Sequence, residues 1–200
     1  MIRVPFTANQ RYTGAAPPIN LLVALDPGLR ECGVALFDRD TGELLAAGMP
    51  ENSMRRARGL PVWASMAAAV AVFVQGAIDE LSALRTVASV HVVSECPQVY
   101  TAGKSKGDPN DLIELAGVVG RVAGALGASS ELSYLPREWK GTLDGDVMVE
   151  RIKGRIDERP VERARVRLPR TADKHHNVWD AVGVGLHAVG RLAPRKVFPR

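Results

Sequence analysis

The chain has 200 residues, 46% hydrophobic and 24% charged, with 26 Lys+Arg against 22 Asp+Glu for a formal charge of +4. These figures suit one folded domain of ordinary composition and exclude a wholly disordered chain. No run of about 18 apolar residues occurs, so no membrane-spanning helix is expected, and Met1 to Asn20 lacks the apolar stretch of a secretory signal.

Residues 1–19 hold Pro17, Pro18 and little pattern, and read as a flexible arm. Leu21 to Leu25 is a continuous apolar run stopped by Asp26-Pro27-Gly28, the mark of a central strand buried on both faces. Gly33 to Phe37 and Glu43 to Met49 follow across short turns, so the first three strands form an antiparallel meander. Leu60 to Leu84 is alanine-rich and helical, with Pro61 tolerated in the first turn. His91 to Ser94 is a strand ending at Glu95, and Asn110 to Leu126 is a helix with small residues for close packing. Leu132 to Leu135 is a short strand closed by Pro136, Val147 to Ile156 a helix, Val161 to Pro169 unassigned, and Ala172 to Arg191 a final helix. Strands first in a meander and then alternating with helices predict an α/β fold, a mixed five-stranded sheet with helices on both faces. The domain is expected over 20–191, followed by a basic tail at 192–200.

Charge is unevenly placed. Arg3 and Arg11 in residues 1–20, and Arg191, Arg195, Lys196 and Arg200 in the last ten, have no acid beside them; removing these six leaves 20 basic and 22 acidic residues, a body at −2. Within that body, 151–170 carries eight basic residues against three acidic ones. Basic stretches on a slightly acidic body point to a polyanion partner or, equally, to solvated helix faces. Cys32 and Cys96 lie in separate apolar segments without zinc-ligand spacing and read as reduced thiols.

Three acids stand where acids need a reason: Asp26 and Glu95 at the ends of apolar strands, and Asp180 within the apolar Val178-Trp179-Asp180-Ala181-Val182. Each has an ordinary explanation as a turn residue, a loop cap or a helix ion pair. Together they suggest carboxylates that repel one another unless a cation joins them, and hard oxygen donors suit Mg²⁺ or Mn²⁺. On the last helix Asp173, His176 and Asp180 fall at i, i+3 and i+7 and share a face. His176 either joins the site or is an exposed partner of a neighbouring Asp, and Asn177 competes for that place. Lys104, Lys106, Arg137, Lys140 and Lys174 are candidate phosphate contacts, and Tyr100 or Trp139 a candidate base-stacking ring, with core or ordinary surface roles as the alternatives.

The ordered set is similar to the RuvC-type Holliday-junction resolvases. Leu22-Val23-Ala24-Leu25-Asp26-Pro27-Gly28 with Gly33-Val34-Ala35 resembles their opening hairpin, and Ser94-Glu95-Cys96-Pro97-Gln98-Val99-Tyr100 their strand-end glutamate. Asn110-Asp111-Leu112 with Leu115 to Gly120 resembles the helix after it; Leu135-Pro136-Arg137-Glu138-Trp139-Lys140-Gly141 matches a strand, proline and lysine; His176-Asn177-Val178-Trp179-Asp180-Ala181 resembles the acidic last helix. The resemblance spans about residues 20–191. It implies an RNase H-like fold, a homodimer, two Mg²⁺ ions with Mn²⁺ able to substitute, branched DNA as substrate, and a cytoplasmic setting in a bacterium or phage-infected cell. Asp26, Glu95 and Asp180 carry over as catalytic metal ligands. Where the family has an acid or His about three residues before the last Asp, this chain has Asn177, and His176 or Asp173 takes the fourth place. The alternatives are an RNA-processing nuclease of the YqgF type or a non-catalytic binder of branched DNA on the same fold; an actin-like kinase architecture would need two such domains.

Overall fold

The computed structural model describes residues 17–50, 52, 61–82, 85–98 and 109–192. Three strands open it, β1 (Ile19–Asp26), β2 (Gly33–Asp38) and β3 (Leu44–Gly48). Helix α1 (Val62–Ser82), strand β4 (Val87–Glu95), helix α2 (Pro109–Ala125) and strand β5 (Ser130–Tyr134) follow. The chain closes with α3 (Pro136–Trp139), α4 (Gly145–Asp157), α5 (Pro160–Arg163), a single 3₁₀ turn (Ala172–Lys174) and α6 (His175–Ala188). The sheet order is β3-β2-β1-β4-β5, with β1–β2 and β2–β3 antiparallel and β1–β4 and β4–β5 parallel. The meander and the mixed five-stranded sheet stand as expected. Ile19 is already strand, and Leu192, the last described residue, is buried.

Strand periodicity divides β1 between two cores. Leu21, Val23 and Leu25 point into a layer with Val34, Leu36, Met66, Val70, Val118 and Val122, under α1 and α2. Leu22 and Ala24 point the other way, with Ala35, Phe37, Ile152, Trp179 and Val182, under α4 and α6. This is why the first run is apolar throughout rather than alternating. By length and composition α1 is apolar enough to cross a membrane, which revises the expectation that no segment qualifies. Its alanines keep it apolar despite Gln75, Asp79 and Glu80, and here its Met66–Val70–Val74 stripe packs on the sheet.

The small residues on the α6 side set how near that helix lies. A Cβ on Gly33 would stand 1.9 Å from the Asn177 carbonyl oxygen, and one on Gly185 would stand 2.1 Å from the Phe37 ring. Neither space admits a methyl group, so α6 rests directly on β2.

The segment 151–170, unassigned in its second half, folds as α5 and an edge strip. Val166 bridges to Ala47, with Ala47 N–H donating to Arg165 O at 3.1 Å and Arg167 N–H to Ala47 O at 2.8 Å, so the β3 edge is covered. Glu162, 1% exposed, anchors this corner. Its carboxylate accepts from Leu44 N–H at 3.2 Å, Arg159 at 3.2 Å and Arg191 at 2.9 Å, and Arg191 also donates to Gly42 O at 2.6 Å. Removing one partner of a buried pair leaves the other uncompensated. We therefore expect Glu162→Ala to cost about 3–5 kcal/mol, read as a lower urea midpoint at unchanged slope. A loss below about 1 kcal/mol would assign the pair to the screened, surface class instead.

Candidate active site

Residue pairing brings the strand-end acids together. Leu25 pairs with Ser94 on the parallel neighbour, so the residues that follow, Asp26 and Glu95, leave adjacent strands at the same end. Asp26 is two residues past Ala24 and Glu95 two past Val93, and both of those face α6. Both acids therefore point to the α6 side. The chain turns sharply after Asp26: a Cβ on Gly28 would meet the Glu31 carbonyl oxygen at 1.9 Å. Asp180 comes from the first half of α6, half-buried among Val178, Trp179, Ala181 and Val182.

A fourth residue joins them. Lys140, just past α3, places its ammonium 3.2 Å from Glu95 Oε2 and 2.9 Å from Asp180 Oδ2. Its neighbour Trp139 donates its indole N–H to the same Glu95 Oε2 at 2.9 Å. The Trp139 ring is buried because Gly183 makes room for it; a Cβ there would stand 2.4 Å from the ring. So Trp139 is a core residue that orients Glu95, the alternative to base stacking.

The electrostatics follow. Burial pushes the Asp26 carboxyl well above the usual carboxylate range, Asp180 and Glu95 push it further, and Lys140 opposes them. Burial also raises Glu95, with Lys140 offsetting part of the effect. For Lys140, burial works against the charge, but Asp180 and Glu95 outweigh it and its pKa rises. Cys32, buried beside this cluster, is pushed up to about 12, chiefly by burial and then by Asp26, and is an inert thiol.

These donors fit a divalent ion in kind but not as they stand. Two of the three carboxylates share one ammonium, and hard oxygens of this type suit Mg²⁺ or Mn²⁺. Among the described residues no three His, Cys, Asp or Glu side chains are gathered to ligate one ion. The ammonium of Lys140 stands where Glu95 and Asp180 would share a cation.

The remaining expected residues sit around this centre. The 3₁₀ turn at 172–174 breaks the helix before His175, so the face expected to carry Asp173 with His176 and Asp180 begins only at His175. His176 is exposed, its Nδ1 2.6 Å from the Asp173 carbonyl oxygen, and lines an open cleft with Gly28, Arg30, Asp111, Asp173 and Asn177. Asn177 reaches toward Met49 Sδ at 3.9 Å. Lys174 pairs with Glu31, and Arg137 is exposed on α3. Tyr100, Lys104 and Lys106 lie outside the described residues. Arg30, Arg170 and Lys174 line a second, adjoining cleft, and sequence reasoning missed the first two. Lys140 was expected at a phosphate and is found between carboxylates; its immediate neighbour Trp139 and the preceding Pro136 are the signal of the tight turn that carries it there.

No protein-family model and no curated protein sequence matches the chain. Solved structures do match it. RuvC from T. thermophilus in complex with a Holliday junction substrate superposes with a TM-score of 0.50 at 18% identity, over 86% of this chain and 94% of that one. A second Thermus thermophilus RuvC structure gives 0.50 at 16%, over 84% and 93%. The yeast mitochondrial Holliday junction resolvase Ydc2 gives 0.45 at 12%, over 88% and 79%. The two RuvC structures establish the fold, which is the RNase H-like arrangement that the sequence resemblance implies.

An acid whose pKa is higher in the folded chain holds more protons there than when unfolded, so stability falls as pH rises from about 4 through the folded value. Asp26 and Glu95 both act in this direction. We expect Asp26→Asn to stabilise the metal-free protein at neutral pH and to flatten its pH dependence. Thermal melts in EDTA between about pH 5 and 8 check this; an Asn variant less stable throughout would refute it.

Proposed function

We propose that this protein is a Mg²⁺-dependent, structure-selective endonuclease acting on branched DNA, with four-way junctions as the substrate class and a homodimer as the working form. The observation that carries the reading is the convergence of Asp26, Glu95 and Asp180 from two adjacent strand ends and one helix. Burial, with the neighbouring negative charges, raises Asp26 and Glu95 and weakens the fold, a cost accepted at sites that bind cations or move protons.

Asp26, Glu95 and Asp180 would hold two Mg²⁺ ions, with Mn²⁺ able to substitute and His176 on the cleft wall as the further candidate ligand. Such ions activate water and stabilise the leaving oxygen in phosphodiester hydrolysis. The chain's own residues do the rest. Trp139 holds Glu95 in one orientation through its indole N–H. The turn residues Pro27 to Glu31 line the cleft in which a backbone phosphate would lie. Arg30, Arg170 and Lys174 line the clefts beside the site and offer phosphate contacts, as does exposed Arg137. The substrate class is supported by the Thermus thermophilus protein of the same fold, whose bound substrate is a Holliday junction.

Asp26→Asn is expected to lower cleavage of a synthetic four-way junction in Mg²⁺ by at least about a thousandfold, with junction affinity retained. Parallel assays on flaps, duplex DNA and RNA set the substrate class, and normal cutting by the variant would overturn the site assignment. Affinity for the junction should fall more than about tenfold between about 50 and 200 mM salt. A flat profile in filter-binding or anisotropy titrations would remove the polyanion as partner.

A further inference from the structure

The cation of this site is part of the chain. Lys140 Nζ lies within hydrogen-bonding distance of Glu95 Oε2 and Asp180 Oδ2, one from a strand end and one from α6. These are the acids that would have to face a divalent ion, and an ammonium and a divalent ion in contact with the same oxygens repel each other strongly in a half-buried setting. Trp139 presents no such conflict, being a neutral donor to an oxygen with a second lone pair to offer.

Lys140 is also less enclosed than Trp139. It caps a helix of four residues, its side chain is 22% exposed, and the next residue, Gly141, has φ +67°, in a turn that runs to α4. Trp139, one residue earlier, is locked in the core by Gly183 and Ile152. The same short helix thus carries one buried neutral donor and one partly exposed charged donor to a single carboxylate.

We infer that Lys140 is an internal counter-ion that holds the carboxylates together in the metal-free protein, competes with the divalent ion for them, and so sets the metal affinity of the site. The inference rests on the metal-dependent reading above and adds to it a positioning residue that works against metal loading. An ion that enters only when the ammonium swings out binds with its affinity reduced by the fraction of time the cage is vacated.

The test is Mn²⁺ binding to the full chain, followed by the electron paramagnetic resonance of free Mn²⁺, with Asp180→Asn marking which binding belongs to the site. Lys140→Met should bind Mn²⁺ at least about tenfold more tightly than wild type, the factor for a cage vacated a tenth of the time or less. Its metal-free form should melt lower in EDTA, and Mn²⁺ should raise its melting temperature by more than it raises that of wild type. Lys140→Arg, which keeps the charge, should bind like wild type. Equal or weaker binding by Lys140→Met, with wild-type binding lost in Asp180→Asn, overturns the counter-ion and leaves the metal site standing. No Asp180-dependent binding in any variant overturns both. A Lys140→Met protein that stays unfolded even in Mn²⁺ overturns the inference in favour of a purely structural lysine.

Discussion

The seating of α6 on the sheet is the constraint on which the rest of the molecule depends. It requires small residues wherever the helix crosses a strand. Gly33 lies under the Asn177 carbonyl, Gly185 against the Phe37 ring, and Ala24 and Ala35 provide the floor. A larger residue at any of these positions would lift the helix and carry Asp180 away from the strand ends. The same closeness opens the notch at Gly183 that receives Trp139, and Trp139 in turn orients Glu95. Interiors packed to crystal-like density transmit such displacements rather than absorbing them. The distance between two acids far apart in sequence is thus fixed by glycines that take no part in chemistry.

Charge in this protein does two separate jobs. Five of the eight basic residues in 151–170 are engaged in ion pairs: Lys153 with Glu150, Arg155 with Glu158, Arg159 with Glu162, Arg163 with Asp157 and Arg165 with Glu43. Lys153 and Arg163 also lie 5.8 and 4.9 Å from the Trp179 ring centroid. A segment that looks like a polyanion grip is therefore largely an internal brace, pinned by buried Glu162 and closed by Arg191. Arg30, isolated in sequence, and Arg170, the last residue of that segment, line the clefts next to the carboxylates. Net charge by segment and charge by surface are different quantities, and only the second bears on binding.

What the sequence made legible was what central parallel strands make legible. A run buried on both faces has no polar residue to spare, so Asp26 and Glu95 at the ends of such runs stand out, and an Asp amid valines on the last helix does so too. The antiparallel meander and the mixed sheet followed from short turns and then long crossovers. What stayed hidden depends on packing rather than pattern. Nothing in Trp139-Lys140 says that one side chain is locked in a notch while the other bridges two acids, because Gly183 and Asp180 come forty or more residues later. The 3₁₀ turn at 172–174 was hidden for a related reason: i, i+3, i+7 spacing assumes an unbroken α-helix, and one tighter turn rotates Asp173 off the shared face.

A shared fold does not establish shared chemistry, so the weight falls on the site itself. Here the decisive feature is an imbalance. Three carboxylates and one ammonium leave a net negative cavity that burial makes costly, and a sequence selected for stability alone would resolve it with an apolar residue or a second cation. Asp26 is raised by burial first, and neither Lys140 nor Trp139 is hydrogen-bonded to it. Lys140 satisfies Glu95 and Asp180 and reaches Asp26 only through space. An arrangement that compensates two acids and leaves the third raised is a site held assembled but not neutral, and the deficit is of the sign and the place that a second cation would fill.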